Sequence, residues 1–132
     1  MKLHIVLPGQ KTSLKDGWHQ VAVDQLDTIV QSSCKEIDAR DIIDYVDTSV
    51  FKEILSKLRH GGKIEVSGID MYEMSRQIFA GVIKPDEVRE IVAGVQSIYF
   101  LSEVSTILEN NGIVPTEKNI GRSKYFIAGT RK

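Results

Sequence analysis

The sequence predicts an α/β fold whose mostly parallel sheet ends in an antiparallel hairpin, and three observations carry that expectation. In residues 58–70 an apolar helix face, two glycines and the alternating pair Ile64 and Val66 follow one another directly. Helix followed at once by strand is half of a βαβ unit. Short alternating stretches give way to helical periodicity in the middle of the chain, and residues 112–130 hold two strand candidates around turn residues.

The elements follow in order. Leu3, Ile5 and Leu7 alternate with His4 and Val6 ahead of Pro8-Gly9, the pattern of a short strand entering a turn. Residues 18–24 alternate likewise and predict a second strand, with Asp24 on the same side as Ala22. Residues 25–33 stay open between a short helix and an edge strand: Leu26, Ile29 and Val30 keep helical spacing, yet Thr28-Ile29-Val30 is β-prone. In residues 35–46 a strand is expected to become loop or helix near Arg40-Asp41. Asp47 or Thr48 then caps a helix with Val50, Phe51, Ile54, Leu55 and Leu58 on one stripe. A cationic last turn at Arg59 and His60 suits the negative end of that helix, and Gly61-Gly62 can stop it.

After the strand at residues 64–67, Asp70 and Glu73 resemble a capping box, opening a helix with Met71, Met74, Ile78 and Phe79 inward. Gly81 weakens its end. Pro85 suits a first helical position before Val88, Ile91, Val92 and Val95. Ser102 starts a last helix that Asn110-Asn111-Gly112 stops, and the two final strands are expected to join through Asn119 and Gly121.

With 132 residues, 42% hydrophobic and 27% charged, the chain fits a single domain over residues 1–132. Seventeen basic and 18 acidic residues, mixed along the sequence, leave a formal charge of −1 and give no reason to expect nucleic acid or an anionic membrane as partner. No apolar stretch approaches the roughly 20 residues of a membrane span. The first six residues are too short for the apolar region of a signal peptide, so a cytoplasmic protein is expected. Cys34 is the only cysteine, which excludes an internal disulfide and a cysteine-cluster metal site and reads as a buried thiol.

Three stretches resemble class I S-adenosylmethionine-dependent methyltransferases. The run Leu58-Arg59-His60-Gly61-Gly62-Lys63-Ile64-Glu65-Val66-Ser67-Gly68-Ile69-Asp70 is similar to the segment LKPGGKLVISVPD that leads through the family's fifth strand. Ala39-Arg40-Asp41-Ile42-Ile43-Asp44-Tyr45-Val46 resembles ASHVLEHV, after the fourth strand, and residues 99–113 resemble the helix LxxLLExAGF before the terminal hairpin. Residues 3–9 and 17–24 are similar to LHLGCG and GWINVDID. The resemblance implies a Rossmann-like methyltransferase fold, S-adenosylmethionine as cofactor, and transfer of a methyl group to a small-molecule or protein acceptor. On this likeness Gly9, Asp24, Ala39 and Asp41 border the cofactor and Tyr45 borders the substrate.

The departures fall where that chemistry belongs. A nucleotide-type cofactor needs backbone bare of side chains at the first strand's end, but Val6 and Leu7 stand in place of the first glycine and its neighbour. Ala22 occupies the place of the acidic residue that accepts from the ribose, leaving Asp24 as its substitute. Residues 25–34 are too few for the family's complete helix and third strand, a truncation that exposes part of the sheet. A degenerate, non-catalytic binding or assembly module is therefore the alternative. The apolar residues of 70–95 exceed what a truncated sheet covers, so a homodimer is expected.

Other chemistry-bearing residues have plainer readings. Asp38, Asp41 and Asp44 would share one side of a helix, as a base or a cation grip, or as a solvated face. His4, His19 and His60 do not have metal-ligand spacing, and no metal site is expected. Trp18, Met71 and Met74 read as packing residues.

Overall fold

The computed structural model describes residues 1–10, 13 and 15–132. Strands β1 (Lys2–Val6), β2 (His19–Ala22), β3 (Cys34–Arg40), β4 (Leu58–Ile69), β5 (Ile113–Gly121) and β6 (Lys124–Arg131) form one sheet in the order β2-β1-β3-β4-β6-β5. The pairs β1/β2, β1/β3 and β3/β4 are parallel, while β4/β6 and β5/β6 are antiparallel. Helices α1 (Thr48–Ser56), α2 (Met71–Phe79), α3 (Pro85–Val92) and α4 (Leu101–Asn110) fill the connections, with 3₁₀ turns at Val23–Thr28 and Ile43–Tyr45. The open stretch after β2 is thus helical, and β2 is left as a four-residue edge.

One face of the sheet makes the core. Leu3, Ile5, Ile37, Ile64, Val66 and Ile127 alternate inward, as a strand's period of two requires, and meet Phe51, Ile54 and Leu55 of α1 and Val104 and Leu108 of α4. Tyr99 packs edge-on to Phe51, with centroids 5.8 Å apart, and its hydroxyl lies 2.9 Å from Thr48 Oγ1. The capping reading of α1 holds, because Asp47 Oδ1 accepts from the Ser49 amide at 3.3 Å.

The opposite face is polar. In register across β1, β3 and β4 stand Lys2, Glu36 and Lys63, then His4, Asp38 and Glu65. Lys2 pairs with Glu36 at 3.5 Å, and Arg40 reaches Asp38 at 3.0 Å and Glu65 at 3.9 Å. Trp18 caps this face between two cations, with Lys15 Nζ 4.7 Å and Lys2 Nζ 5.8 Å from its ring centre.

Four element readings are corrected by tertiary context. Helix α1 ends at Ser56, so Arg59 and His60 lie in β4 rather than in a last helical turn. The β3/β4 ladder steps from Cys34 opposite Leu58 to Glu36 opposite Lys63, so residues 59–62 stand against Lys35 alone and bulge out at Gly61, φ 78°. Gly62 is pinned by proximity instead: a Cβ there would lie 2.7 Å from Leu58 Cδ1 and 2.9 Å from the Arg59 oxygen. In α2 only Met74 is buried: Met71 is half-buried at a cavity shared with Val92 of α3, while Ile78 and Phe79, at the end of the helix, are 38% and 96% exposed. The final hairpin turns at Arg122 and Ser123, both at positive φ (53° and 63°), while Asn119 and Gly121 belong to β5.

Candidate functional site at the carboxyl edge of the sheet

The four parallel strands end on the same edge, at Val6, Ala22, Arg40 and Ile69. Strand order reverses between β1 and β3, since the chain steps from β1 to β2 on one side and to β3 on the other. Ligands of open α/β sheets bind outside the carboxyl ends at such a switch point, because the diverging loops leave a crevice there.

On the β1 side the crevice is bounded by a tight turn. Gln10 donates its amide to the Leu7 oxygen at 3.0 Å across Pro8 and Gly9, with Gly9 at φ 76°, the signature of a type II turn. The Leu7 amide in turn donates to Gln10 Oε1 at 3.0 Å, so the amides of Leu7 and Gln10, at the two ends of the turn, are paired within it. A Cβ on Gly9 would meet nothing within 4 Å. Glycine is required there by the backbone angle, not by a close approach.

On the β3 side, Asp41 holds a left-handed φ of 60°, uncommon for a residue with a side chain. Its amide donates to the Ser67 oxygen and Oγ, both at 3.1 Å, and Ser67 Oγ donates to Asp41 Oδ1 at 3.1 Å. Lys124 of β6 pairs with the same Oδ1 at 3.2 Å. The strained residue is thereby fastened to two neighbouring strands.

Asp44, on the following 3₁₀ turn, is 2% exposed. Its Oδ2 accepts from the Ile69 amide at 2.7 Å, and its main-chain oxygen accepts from the amides of Gln96 (2.7 Å) and Ser97 (3.0 Å). Among the described residues its Oδ1 has no hydrogen-bond partner. Burial pushes the carboxyl up to about 6, with the Asp41 charge adding to the effect and the Ile69 amide and Lys124 opposing it. The Tyr125 hydroxyl, also buried and unpartnered among the described residues, shares this corner, and burial raises its pKa. A Cβ on Gly68 would come within 2.6 Å of that hydroxyl and 2.8 Å of Asp44 Oδ2, so only glycine lets the two side chains converge.

Two cavities meet at Asp44 and Ile69. One, of about 340 Å³, opens between Leu7, Gln10, Asp41 and Tyr45, with Glu90 and Lys124 at its rim. The other, of about 240 Å³, is walled by Met71, Val92, Val95 and Ile98. Helix α3 forms a shared side, and Tyr45 tethers it by donating its hydroxyl to the Ile91 oxygen at 3.4 Å.

The residues anticipated from sequence divide accordingly. Asp41 and Tyr45 line the larger cavity, and Gly9 sits on the turn that supplies Leu7 and Gln10. Ala39 is wholly buried in the core beneath the site. Asp24 is solvent-exposed in the 3₁₀ turn after β2; the strand stops at Ala22, so its alternation does not reach Asp24. The three aspartates do not share a helix face. Asp38 lies on β3, on the polar side of the sheet: burial opposes its ionisation, but hydrogen bonds from Arg40 and Lys15 outweigh that and hold it down to about 2. Lys124 went unread because its place beside Asp41 depends on the β4/β6 register. Among the described residues no group of three His, Cys, Asp or Glu side chains is placed to hold a metal ion, and no helix is long and apolar enough to cross a membrane.

No family model matches the sequence, and neither does any curated protein. Solved structures do match. A chain of the complex between the Haloferax volcanii Trm112 methyltransferase activator and a methyltransferase superposes with a TM-score of 0.61 at 12% identity, covering 89% of this chain and 63% of that one. An O-methyltransferase family protein from Burkholderia thailandensis gives 0.59 at 9% identity, over 87% of this chain and 35% of that one. Geranyl diphosphate methyltransferase in complex with S-adenosylmethionine gives 0.56 at 18% identity, over 89% and 59%. The chain spans less than two thirds of the length of each. Strand order, terminal hairpin and these superpositions together establish a class I S-adenosylmethionine-dependent methyltransferase-like fold.

Proposed function

We propose that the chain binds S-adenosylmethionine at the carboxyl edge of its sheet and serves methyl transfer to an acceptor held beside Asp44. The observation that carries this reading is the pair of cavities meeting at a buried carboxylate, at the switch point of the sheet. The donor set fits the polar end of the cofactor. Asp41 and Glu90 are acceptors for an ammonium group, and Lys124 is a cation for a carboxylate. When bound, the cofactor supplies a methyl group made electrophilic by its sulfonium.

The chain's own part is positioning. Asp41 is locked by Ser67 and Lys124, and Tyr45 holds α3 over the crevice, so the polar groups are fixed before any ligand arrives. In this reading Gly9 and Asp24, each just beyond the end of one of two paired strands, flank the cofactor, Ala39 underlies it, and Tyr45 faces the acceptor. A cytoplasmic setting goes with the reading, as does a small-molecule or protein acceptor.

One observation favours the second reading, a binding module without catalysis. The closed turn at residues 7–10 keeps the amides of Leu7 and Gln10 to itself and puts Leu7 at the crevice, where the family's glycines leave backbone free. Calorimetric titration with S-adenosylmethionine and S-adenosylhomocysteine separates the two. Saturable heat with both, weakened at least tenfold by Asp41→Ala, supports methyl transfer; no heat with either supports the binding module.

A further inference from the structure

The smaller cavity has a charge problem that its ligand must solve. Its walls, Ile69, Met71, Val92, Val95 and Ile98, are apolar, the hydroxyl of Ser97 beside them donates to the Val46 oxygen, and Asp44 stands among them. The Asp44 carboxylate is 98% buried, and its Oδ2 is spent on the Ile69 amide while Oδ1 has no partner among the described residues. The nearby cation, Lys124, pairs with Asp41 at 3.2 Å and has no ion pair or hydrogen bond with Asp44 among the described residues. An anion in an apolar enclosure is costly unless a positive group pairs with it, so the natural complement is a hydrogen-bonding cation. The apolar walls ask for an apolar body behind that cation, and about 240 Å³ limits the body to one ring or a short chain.

We infer that this cavity is a subsite for a small apolar amine, whose protonated nitrogen donates to Asp44 Oδ1 while its hydrocarbon part packs on Met71, Val92, Val95 and Ile98. The inference deepens the proposed function by giving the acceptor a chemical class, and it rests on that reading for its purpose though not for its geometry. An anionic ligand is rejected by the same carboxylate. A neutral alcohol of the same shape keeps the packing but loses the charge-assisted bond.

Ligand-observed saturation-transfer NMR on the full chain near pH 7.5 tests this, with benzylamine, benzyl alcohol and benzoate as probes. Benzylamine should bind at least tenfold more tightly than benzyl alcohol, and benzoate should give no transfer. Asp44→Asn should weaken benzylamine at least tenfold and bring it level with the alcohol. Val95→Phe, which fills the cavity and leaves Asp44 in place, should abolish transfer to benzylamine and benzyl alcohol alike, and a wild-type circular dichroism spectrum for Asp44→Asn excludes misfolding as the cause of its loss. Equal binding of benzoate and benzylamine, unchanged affinity in Asp44→Asn, or no transfer from any probe overturns the subsite. Amine binding by a chain that gives no heat with S-adenosylmethionine keeps the subsite and overturns methyl transfer; the reverse pattern overturns only the subsite.

Discussion

Replacing Asp44 with asparagine should change how stability depends on pH in one direction and within one window. The folded chain holds this carboxyl at about 6, against an ordinary 3.8, chiefly because burial disfavours its charge. Between those two values the folded state keeps a proton that the unfolded chain has released. The stabilisation is therefore complete below about pH 3.8, declines as pH rises through about 6, and is gone above it. At full effect the displacement corresponds to about 3 kcal/mol. Asparagine keeps an oxygen for the Ile69 amide but does not titrate, and the fixed cost of burying its NH₂ group is independent of pH. Urea unfolding of both proteins, followed by circular dichroism from pH 4 to 7.5, isolates the term as a difference, since His4, Asp38 and the surface carboxylates cancel. The variant should gain on the wild type by up to about 3 kcal/mol across that range. A difference flat to within about 0.5 kcal/mol would mean that Asp44 is solvated in solution, and the argument for an uncompensated buried charge would fall.

The other predictions concern packing and backbone. Leu55→Ala should cost about 2 to 5 kcal/mol in chemical denaturation, because Leu55 is 2% exposed against the sheet; a cost under about 0.5 kcal/mol would mean the stripe is misassigned. Gly68→Ala should destabilise by about 1 to 3 kcal/mol, since its Cβ would collide with the Tyr125 hydroxyl, and Gly68→Ala combined with Tyr125→Phe should recover part of that loss. Gly9→Val should cost about 1 to 2 kcal/mol for its left-handed backbone, and Gly9→Asn distinctly less, because asparagine tolerates that region. Sedimentation equilibrium at micromolar concentration should show a dimer, reflecting the exposure of Phe79 (96%), Tyr72 (71%) and Val82 (67%); a single 14.8 kDa species refutes it.

Patterns between near neighbours in the chain were the legible ones. The stripe of α1, its Asp47 cap, Pro85 at the head of α3 and the C-terminal hairpin all depend on spacings of a few residues. The boundary after α1 was not legible. Gly61 and Gly62 suit a helix stop as well as a bulge, and what decides is the pairing of Leu58 with Cys34, far away in sequence. Ile78 and Phe79 of α2 mislead for a related reason, since amphipathic spacing reports a stripe but not the existence of a surface opposite it. At the site, three aspartates at intervals of three drew notice, yet their characters diverge through partners that spacing cannot reveal. Asp38 gains Arg40 and Lys15, Asp41 gains Ser67 and Lys124, and Asp44 gains an apolar enclosure.

The two borders of the sheet govern how copies of this molecule can meet. A strand from another chain would add most readily along β5, which is nine residues long and among the described residues pairs with β6 alone. That border is spoiled as a template. Pro115 has no amide hydrogen, the ladder shifts between Pro115 and Glu117, and Glu117 and Lys118 follow with charge. The other border, β2, offers only four residues. Both borders thus disfavour growth by strand addition into fibrils, which leaves the exposed apolar side chains of the helical surface as the favoured route for self-association. A dimer built that way is sensitive to Phe79→Ser and indifferent to a second proline in β5.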